Sequence, residues 1–215
     1  MTIYLIILCT IVAYLIGSLP TSVWLGQAYY GIDIRKHGSG NAGATNTFRI
    51  LGKQAGIIVL AIDIMKGWAA TSLATFLLAL NLIPYDDLVI YKIFFGTAAV
   101  LGHIFPVYVK FRGGKGIATL IAVIFSINVE AALVCMIIFF IVFFISKYVS
   151  LGSLSAALAF PLLLLLPRFY PDEPFIITFG FALFAIVVLT HQKNIIRLIN
   201  GQESKANIRL RKNKN

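Results

Sequence analysis

The run TIYLIILCTIVAYLIGSLPTSVWL, residues 2–25, decides the fold class. It holds no charged side chain, and no Lys or Arg precedes it; the first basic residue is Arg35. About 20 apolar residues suffice for a helix to cross the hydrocarbon core of a bilayer. A secretory leader needs a basic segment ahead of its apolar one, so this run reads as a retained membrane helix. Apolar runs recur along the rest of the chain. Taken together the expected spans are Ile3–Leu25, Gln54–Leu80, Val89–Val109, Gly116–Ser126, Ala131–Ser146, Leu151–Leu166 and Phe175–Thr190. The fourth is short and is read as tilted, half-inserted or packed within the bundle. The expectation is an all-α, polytopic integral membrane protein of seven transmembrane helices. Residues 1–203 form a single membrane domain in this reading, and 204–215 a basic cytoplasmic tail.

Composition agrees. Charged residues make up 12% of the 215, against about 25% in soluble domains, and the mean hydropathy is +0.92. No charged stretch of domain length lies outside the runs. Cys9 and Cys135 both fall inside apolar runs, where cysteine is a small packing residue. They give neither metal-ligand spacing nor a disulfide framework, and no metal or cofactor is expected.

The net charge of +10 is unevenly placed. One set of connections holds Arg35, Lys36, Arg49, Lys53, Lys110, Arg112, Lys115 and Lys147, and continues with Lys193, Arg197, Lys205 and the four basic residues from Arg209 to Lys214. These are fifteen of the 18 basic residues. The alternate connections hold Asp86, Asp87, Glu130, Asp172 and Glu173, with only Lys92 and Arg168 against them. Excess Lys and Arg marks the cytoplasmic side, which puts the N-terminus outside and the C-terminus inside. An odd number of spans agrees. The positive charge then faces anionic headgroups rather than nucleic acid.

Polar chemistry collects in the basic connections. Gly38-Ser39-Gly40-Asn41-Ala42-Gly43-Ala44-Thr45-Asn46 is uncharged and free of large apolar side chains. Its glycines allow tight turns and close approach of a ligand to the backbone. Ser39, Asn41, Thr45 and Asn46 supply donors and acceptors, and Arg35, Lys36, Arg49 and Lys53 flank them. A small phosphorylated ligand suits such a loop better than a plain connector would require. In the next basic connection Arg112 precedes Gly113, Gly114, Lys115 and Gly116, directly before an apolar run. A glycine-rich turn opening a helix presents backbone N–H groups to an anion, and the Gly-x4-Gly-Lys-Ser/Thr spacing of the nucleotide P-loop is absent. Charge alone would fix topology; the clustered glycines ask for more.

The last span ends at His191, with Asn194 three residues on, and all three histidines (His37, His103, His191) fall on the basic side. Asp63 and Lys66 interrupt the second span at i, i+3. Charges at that depth are costly unless paired or in a polar cavity, and either a functional or a purely structural pair fits. Ser150, opening the sixth span, reads as a helix N-cap. A site at the inner interface, taking one polar phosphorylated substrate and one lipid-like substrate, follows from this gathering.

Three stretches resemble the motifs of the bacterial acyl-phosphate-dependent glycerol-3-phosphate acyltransferases, the PlsY type. The first is Gly38-Ser39-Gly40-Asn41-x-Gly43-Ala44-Thr45-Asn46 with Arg49. The second runs from Gly102-His103-x-Phe105-Pro106 to Phe111-Arg112-Gly113-Gly114-Lys115-Gly116-x-Ala118-Thr119. The third is His191-x-x-Asn194-Ile195-x-Arg197-Leu198-x-x-Gly201-x-Glu203. The likeness spans nearly the whole chain. Two departures stand out: Ala42 replaces the proline of many members, and Gln192 replaces an arginine.

The resemblance implies acyl transfer from a long-chain acyl phosphate to the 1-hydroxyl of sn-glycerol 3-phosphate. The products would be 1-acyl-glycerol 3-phosphate and phosphate, in the bacterial cell membrane, with the active site facing the cytoplasm. It implies catalytic roles for Ser39, Arg49, Lys115, His191 and Asn194. It implies substrate binding by Gly38, Gly40, Asn41, Thr45, Asn46, Arg112, Gly113, Gly114, Gly116 and Ser150, supported by Asp63 and Lys66. The proton acceptor is left open between His191 and a substrate phosphate oxygen. No Ser/His/Asp arrangement with a nucleophile elbow is present. An acyl-CoA enzyme with a His-x4-Asp motif is disfavoured, because Ala42, Tyr108 and Ile196 stand where the aspartate would follow each histidine. A transporter would place its polar groups near the midplane, often with internal symmetry, and no repeat is visible.

Overall fold

The computed structural model describes residues 2–206. The described residues are helical with no strand, as the apolar periodicity requires. Close contacts divide the chain into two units, Met1–Val129 and Glu130–Asn215.

The first unit begins with α1 (Thr2–Ser18) and α2 (Thr21–Tyr30). The first apolar run is therefore two helices, not the single uninterrupted one expected over Ile3–Leu25. Pro20 is the reason: it has no N–H to donate and its ring clashes with the carbonyl four residues back. Together the pair still makes one apolar stretch, Ile3–Tyr30, long enough to cross a membrane. A short 3-10 turn, Ile34–Lys36, and α3 (Ala44–Ile50) follow, then α4 (Lys53–Ala79), α5 (Leu88–Ile104), a second 3-10 turn (Val107–Val109) and α6 (Ile117–Ile127).

Small residues bring these helices together. A Cβ on Gly17 would strike the Ala99 backbone, and one on Gly102 would strike Tyr14 and Ser18, so α1 and α5 touch main chain to main chain. Gly67 lies against Thr119 and Ala122, and Gly96 against Val123, which seats α6 on α4 and α5. Cys9, Ala13, Ala70, Ala74, Leu77 and Phe95 form the apolar core among α1, α4 and α5. Beneath the first glycine-rich stretch, Val23, Ile34 and Ala42 make a smaller core.

The second unit holds α7 (Val129–Ser146), which opens at the unit boundary, α8 (Val149–Leu163), α9 (Phe175–Thr190) and α10 (Gln192–Ile199). Lys147 takes a left-handed backbone, φ +65°, and turns the chain from α7 into α8. Gly152 of α8 sits against Phe139 of α7, and Gly180 of α9 against Pro161 of α8. The axis bends by 67° between α9 and α10.

Every apolar run named from the sequence is helical. Among the described residues four stretches suffice by length and apolarity to cross a membrane: Ile3–Tyr30, Lys53–Ala79, Leu88–Val109 and Val129–Ser146. The bent pair Phe175–Thr190 with Gln192–Ile199 makes a fifth if taken as one. Ile117–Ile127 and Val149–Leu163 are apolar but shorter. The native cysteines are buried and unpaired.

Candidate functional site

The first glycine-rich stretch is wound around Asn46, which is 1% exposed. Its Nδ2 donates to the carbonyls of Ile34, His37 and Asn41 at 3.0–3.1 Å, and its Oδ1 accepts from the Ser39 N–H at 3.0 Å. Gly38 and Gly40 have φ of +60° and +74°, the left-handed region glycine reaches without cost. A side chain on Gly38 would also strike the Asn46 amide. Asn46 is thus committed to shaping the loop. Ser39, Thr45 and Arg49 face outward, exposed, and Asn41 is half-buried. The stretch is not all loop: Ala44 to Asn46 already belong to α3, whose N-cap is Gly43.

Arg35 ties this loop to the second 3-10 turn. Its guanidinium pairs with Asp33 at 2.8 Å and donates to the Val109 carbonyl at 3.0 Å. The hydrogen bond from Arg35 holds the Asp33 carboxyl below its ordinary value.

The second glycine-rich stretch differs from the expectation of exposed N–H groups. Gly114 N–H donates to the His103 carbonyl at 3.0 Å and Gly113 N–H to that of Ile104 at 3.2 Å. These two donors are consumed in pinning the stretch to the end of α5. Gly116, φ +81°, caps α6, so the anion-attracting end of α6 lies next to Lys115. Lys115 is half-buried and Arg112 exposed.

Beneath this stretch lies a buried cluster. Asp63 and Lys66 pair at 2.7 Å, each side chain 3% exposed, as their i, i+3 spacing suggests. Lys66 Nζ also donates to the Leu19 carbonyl at the α1–α2 break. His103 Nδ1 faces the same Asp63 oxygen at 3.6 Å, beyond hydrogen-bond range. Thr119 Oγ1 donates to the Asp63 main-chain carbonyl at 3.0 Å. A small recess opens above, walled by Asp63, Lys66, His103, Gly113, Gly114 and Ala42. Sequence reading missed the parts of His103 and Thr119, although both lie inside the second motif. Their partner, Asp63, is far off in the chain.

In the second unit the centre is Glu203. Its Oε1 accepts from Ser150 Oγ at 2.8 Å and from Asn194 Nδ2 at 2.5 Å, and its Oε2 accepts from Arg197 Nε at 2.8 Å. Burial pushes this carboxyl up, but the three hydrogen bonds and the Arg197 charge outweigh it and leave the group below its ordinary value. The chain beyond α10 is held in place by Ala206 N–H donating to the Lys147 carbonyl at 2.9 Å and by Lys205 over the Tyr148 ring. Ser150 is not an N-cap. The helix starts at Val149 after Tyr148, and its serine points at Glu203 instead.

His191 caps the bend between α9 and α10 and is 2% exposed. Its Nδ1 lies 2.8 Å from the Val187 carbonyl. A carbonyl only accepts, so Nδ1 is the donor in this contact. Glu203 closes the third motif but is not among the expected site residues; Asn194 and Arg197 lie within nine residues of it, whereas Ser150 is 53 residues away and could not be foreseen. Residues 207–215 of the expected basic tail lie outside the described residues. No cluster of three or more His, Cys, Asp or Glu suited to a metal ion occurs among the described residues.

Fold and polar loops define an integral membrane protein of close-packed apolar helices, with a cationic, glycine-built face in its first unit. Residues 7–201 match the glycerol-3-phosphate acyltransferase family, and the chain belongs to that family: it is a membrane acyltransferase of phospholipid synthesis. It is 44% identical over 197 residues to glycerol-3-phosphate acyltransferase 2 of Bacillus cereus, covering 92% of this chain and 93% of that one. It is 37% identical over 204 residues to the glycerol-3-phosphate acyltransferase of Salinibacter ruber, covering 90% and 89%. The fold is shared with a crystallised PlsY, an integral membrane glycerol 3-phosphate acyltransferase. The TM-score is 0.81 against its glycerol 3-phosphate form and 0.78 against its lysophosphatidic acid form. Sequence identity is 33% to each, and 94% of this chain is covered.

Proposed function

We propose that the acyl donor is a long-chain acyl phosphate and the acceptor the 1-hydroxyl of sn-glycerol 3-phosphate, giving 1-acyl-glycerol 3-phosphate and phosphate. The observation that carries this is the half-buried Lys115 between two buried glycines at the start of α6, a seat for a phosphate. Acyl phosphate is a mixed anhydride with a good leaving group. The glycerol oxygen attacks the acyl carbon, the C–O bond to phosphate breaks, and the hydroxyl proton passes to a base. No covalent enzyme intermediate is needed. What the protein must supply is orientation of two anions and positive potential at the carbonyl.

In this reading Lys115 and Arg112 hold the phosphate of glycerol 3-phosphate, and Gly113 and Gly114, whose N–H groups bond to the end of α5, shape the stretch that presents them. Ser39, Arg49, Asn41 and Thr45 attend the reacting groups from the first motif. The resemblance assigns His191, Asn194 and Ser150, in the second unit, to the same reaction. Asn46 and Gly38 act by shaping their loop, as their contacts suggest. The two units are taken as a single membrane domain with seven spans, N-terminus outside, and polar loops facing the cytoplasm. The charge bias of the connections supports that orientation.

The test is a comparison of acyl phosphate, acyl-CoA and acyl-carrier protein as donors to purified enzyme. Turnover with acyl phosphate alone is the expected result. Comparable kcat/KM with acyl-CoA would overturn the donor assignment.

A further inference from the structure

The established family membership does not say what holds the second glycine-rich stretch in its working shape. We propose that Asp63 is the positioning residue for that stretch, gripping it on both sides, and that His103 and Thr119 are the grips. The inference rests on the reading of Lys115 as the phosphate-binding cation.

The stretch from Gly113 to Gly116 leaves the end of α5 and enters α6. Asp63, in the middle of α4, reaches both ends. Its carboxylate faces His103 Nδ1 at 3.6 Å, in the last turn of α5. Its main-chain carbonyl accepts from Thr119 Oγ1 at 3.0 Å, in the first turn of α6. His103 then passes the constraint on. Its carbonyl takes the Gly114 N–H, and its ring lies so close to Gly114 that a Cβ there would strike Nε2. Thr119 is fully buried and sits where α6 begins, just beyond Gly116. Lys115 is the residue between these two fixed points.

Lys66 makes the arrangement tolerable in an apolar bundle. An unpaired carboxylate at this depth would be strongly disfavoured, and Lys66 neutralises Asp63 at 2.7 Å. It also donates to the Leu19 carbonyl at the α1–α2 break, an oxygen that accepts from the Thr21 N–H as well. The same ion pair therefore links the α1–α2 break to the glycine stretch. Rigid support of this kind matters because a displacement near 1 Å can cost about 100-fold in rate.

A positioning role and a packing role predict opposite results at Thr119. Valine keeps the shape and loses the hydroxyl; serine keeps the hydroxyl and loses a methyl group. Full-length enzyme in lipid is assayed with both substrates varied, alongside Lys115→Ala and a melting curve for each variant. Thr119→Val is expected to raise KM for glycerol 3-phosphate roughly 10-fold and leave KM for acyl phosphate unchanged, while Thr119→Ser stays near wild type. His103→Leu should show the same substrate-selective rise, reduced in His103→Asn, whose amide nitrogen can take the place of Nδ1. The proposal is overturned if Thr119→Val keeps a wild-type KM, if serine is worse than valine, or if both KM values rise together. If instead Lys115→Ala leaves glycerol 3-phosphate use intact, the reading of the stretch as a phosphate seat fails, and this proposal with it.

Discussion

His191 is held by its Nδ1–H to the Val187 carbonyl at 2.8 Å, and two roles in the reaction are open to it. As general base, its loss should lower kcat by about 10²–10⁴-fold and abolish the acidic limb of the pH–rate profile. As an anchor, its loss should raise KM for one substrate and leave that limb near the second phosphate pKa of about 6. We expect the anchor result in His191→Ala, because a bound phosphate dianion beside the hydroxyl is already a competent base. Unchanged KM, collapsed kcat and a vanished limb would show the opposite. Lys115→Ala removes a charge-assisted contact, typically about 1.5–3 kcal/mol. The expected loss is thus roughly 10- to 100-fold in kcat/KM for glycerol 3-phosphate, read by steady-state kinetics. Gly114→Val should damage the same parameter by a different route, since its Cβ has nowhere to go beside the His103 ring. Of these residues, the sequence exposed Lys115 and the glycines by their clustering. It misjudged the Gly113 and Gly114 N–H groups, whose bonds to carbonyls at the end of α5 are a matter of tertiary path.

Between elements, Glu203 gathers Ser150 of α8 with Asn194 and Arg197 of α10. In the fold its carboxyl titrates below the ordinary glutamate value. A depressed carboxylate adds stability that is full above the unfolded value, about 4.3, and is lost as pH falls through the lower folded value. Glu203→Gln should therefore melt at lower temperature than wild type near neutrality, and the gap should narrow as the pH falls below the unfolded value of about 4.3. Melting curves in detergent across that range test it; a constant gap would mean the charge plays no part. The α1–α5 seam gives a second check. Gly102→Ala forces a Cβ onto the Tyr14 and Ser18 backbone, and overpacking of this kind costs about 1–3 kcal/mol. Gly31→Ala, with open space around it, carries only the penalty of its left-handed backbone. The Asp63–Lys66 pair was legible because three residues on one helix fix their own geometry. Ser150–Glu203, 53 residues apart in sequence, was not, and a serine at a helix start was taken for a cap.

Across the whole molecule, apolar run length located every long helix, since a bilayer demands one property over many consecutive residues. It could not resolve the Pro20 break, because the run stays apolar on both sides. Orientation is a matter of charge rather than packing. Fifteen of 18 basic residues lie in one of the two sets of connections that seven spans would create, and moving that many cations to the outer face would oppose the bias that sets topology. Exposed aromatic side chains occur on both sets: Tyr4, Tyr85 and Tyr170 in one, and Trp24, Tyr29, Tyr30 and Tyr108 in the other. Two such groups are what two interfacial belts require. Single cysteines placed in a chain lacking Cys9 and Cys135 make the orientation measurable. A membrane-impermeant thiol reagent added to intact cells should modify positions 86 and 172. It should reach 41, 114 and 205 only after the membrane is opened. Position 114 is crowded by His103, so Lys110, exposed in the same connection, is the better probe there. Strong labelling at 110 from outside would reverse the assignment. It would also put the proposed phosphate seat on the outer face.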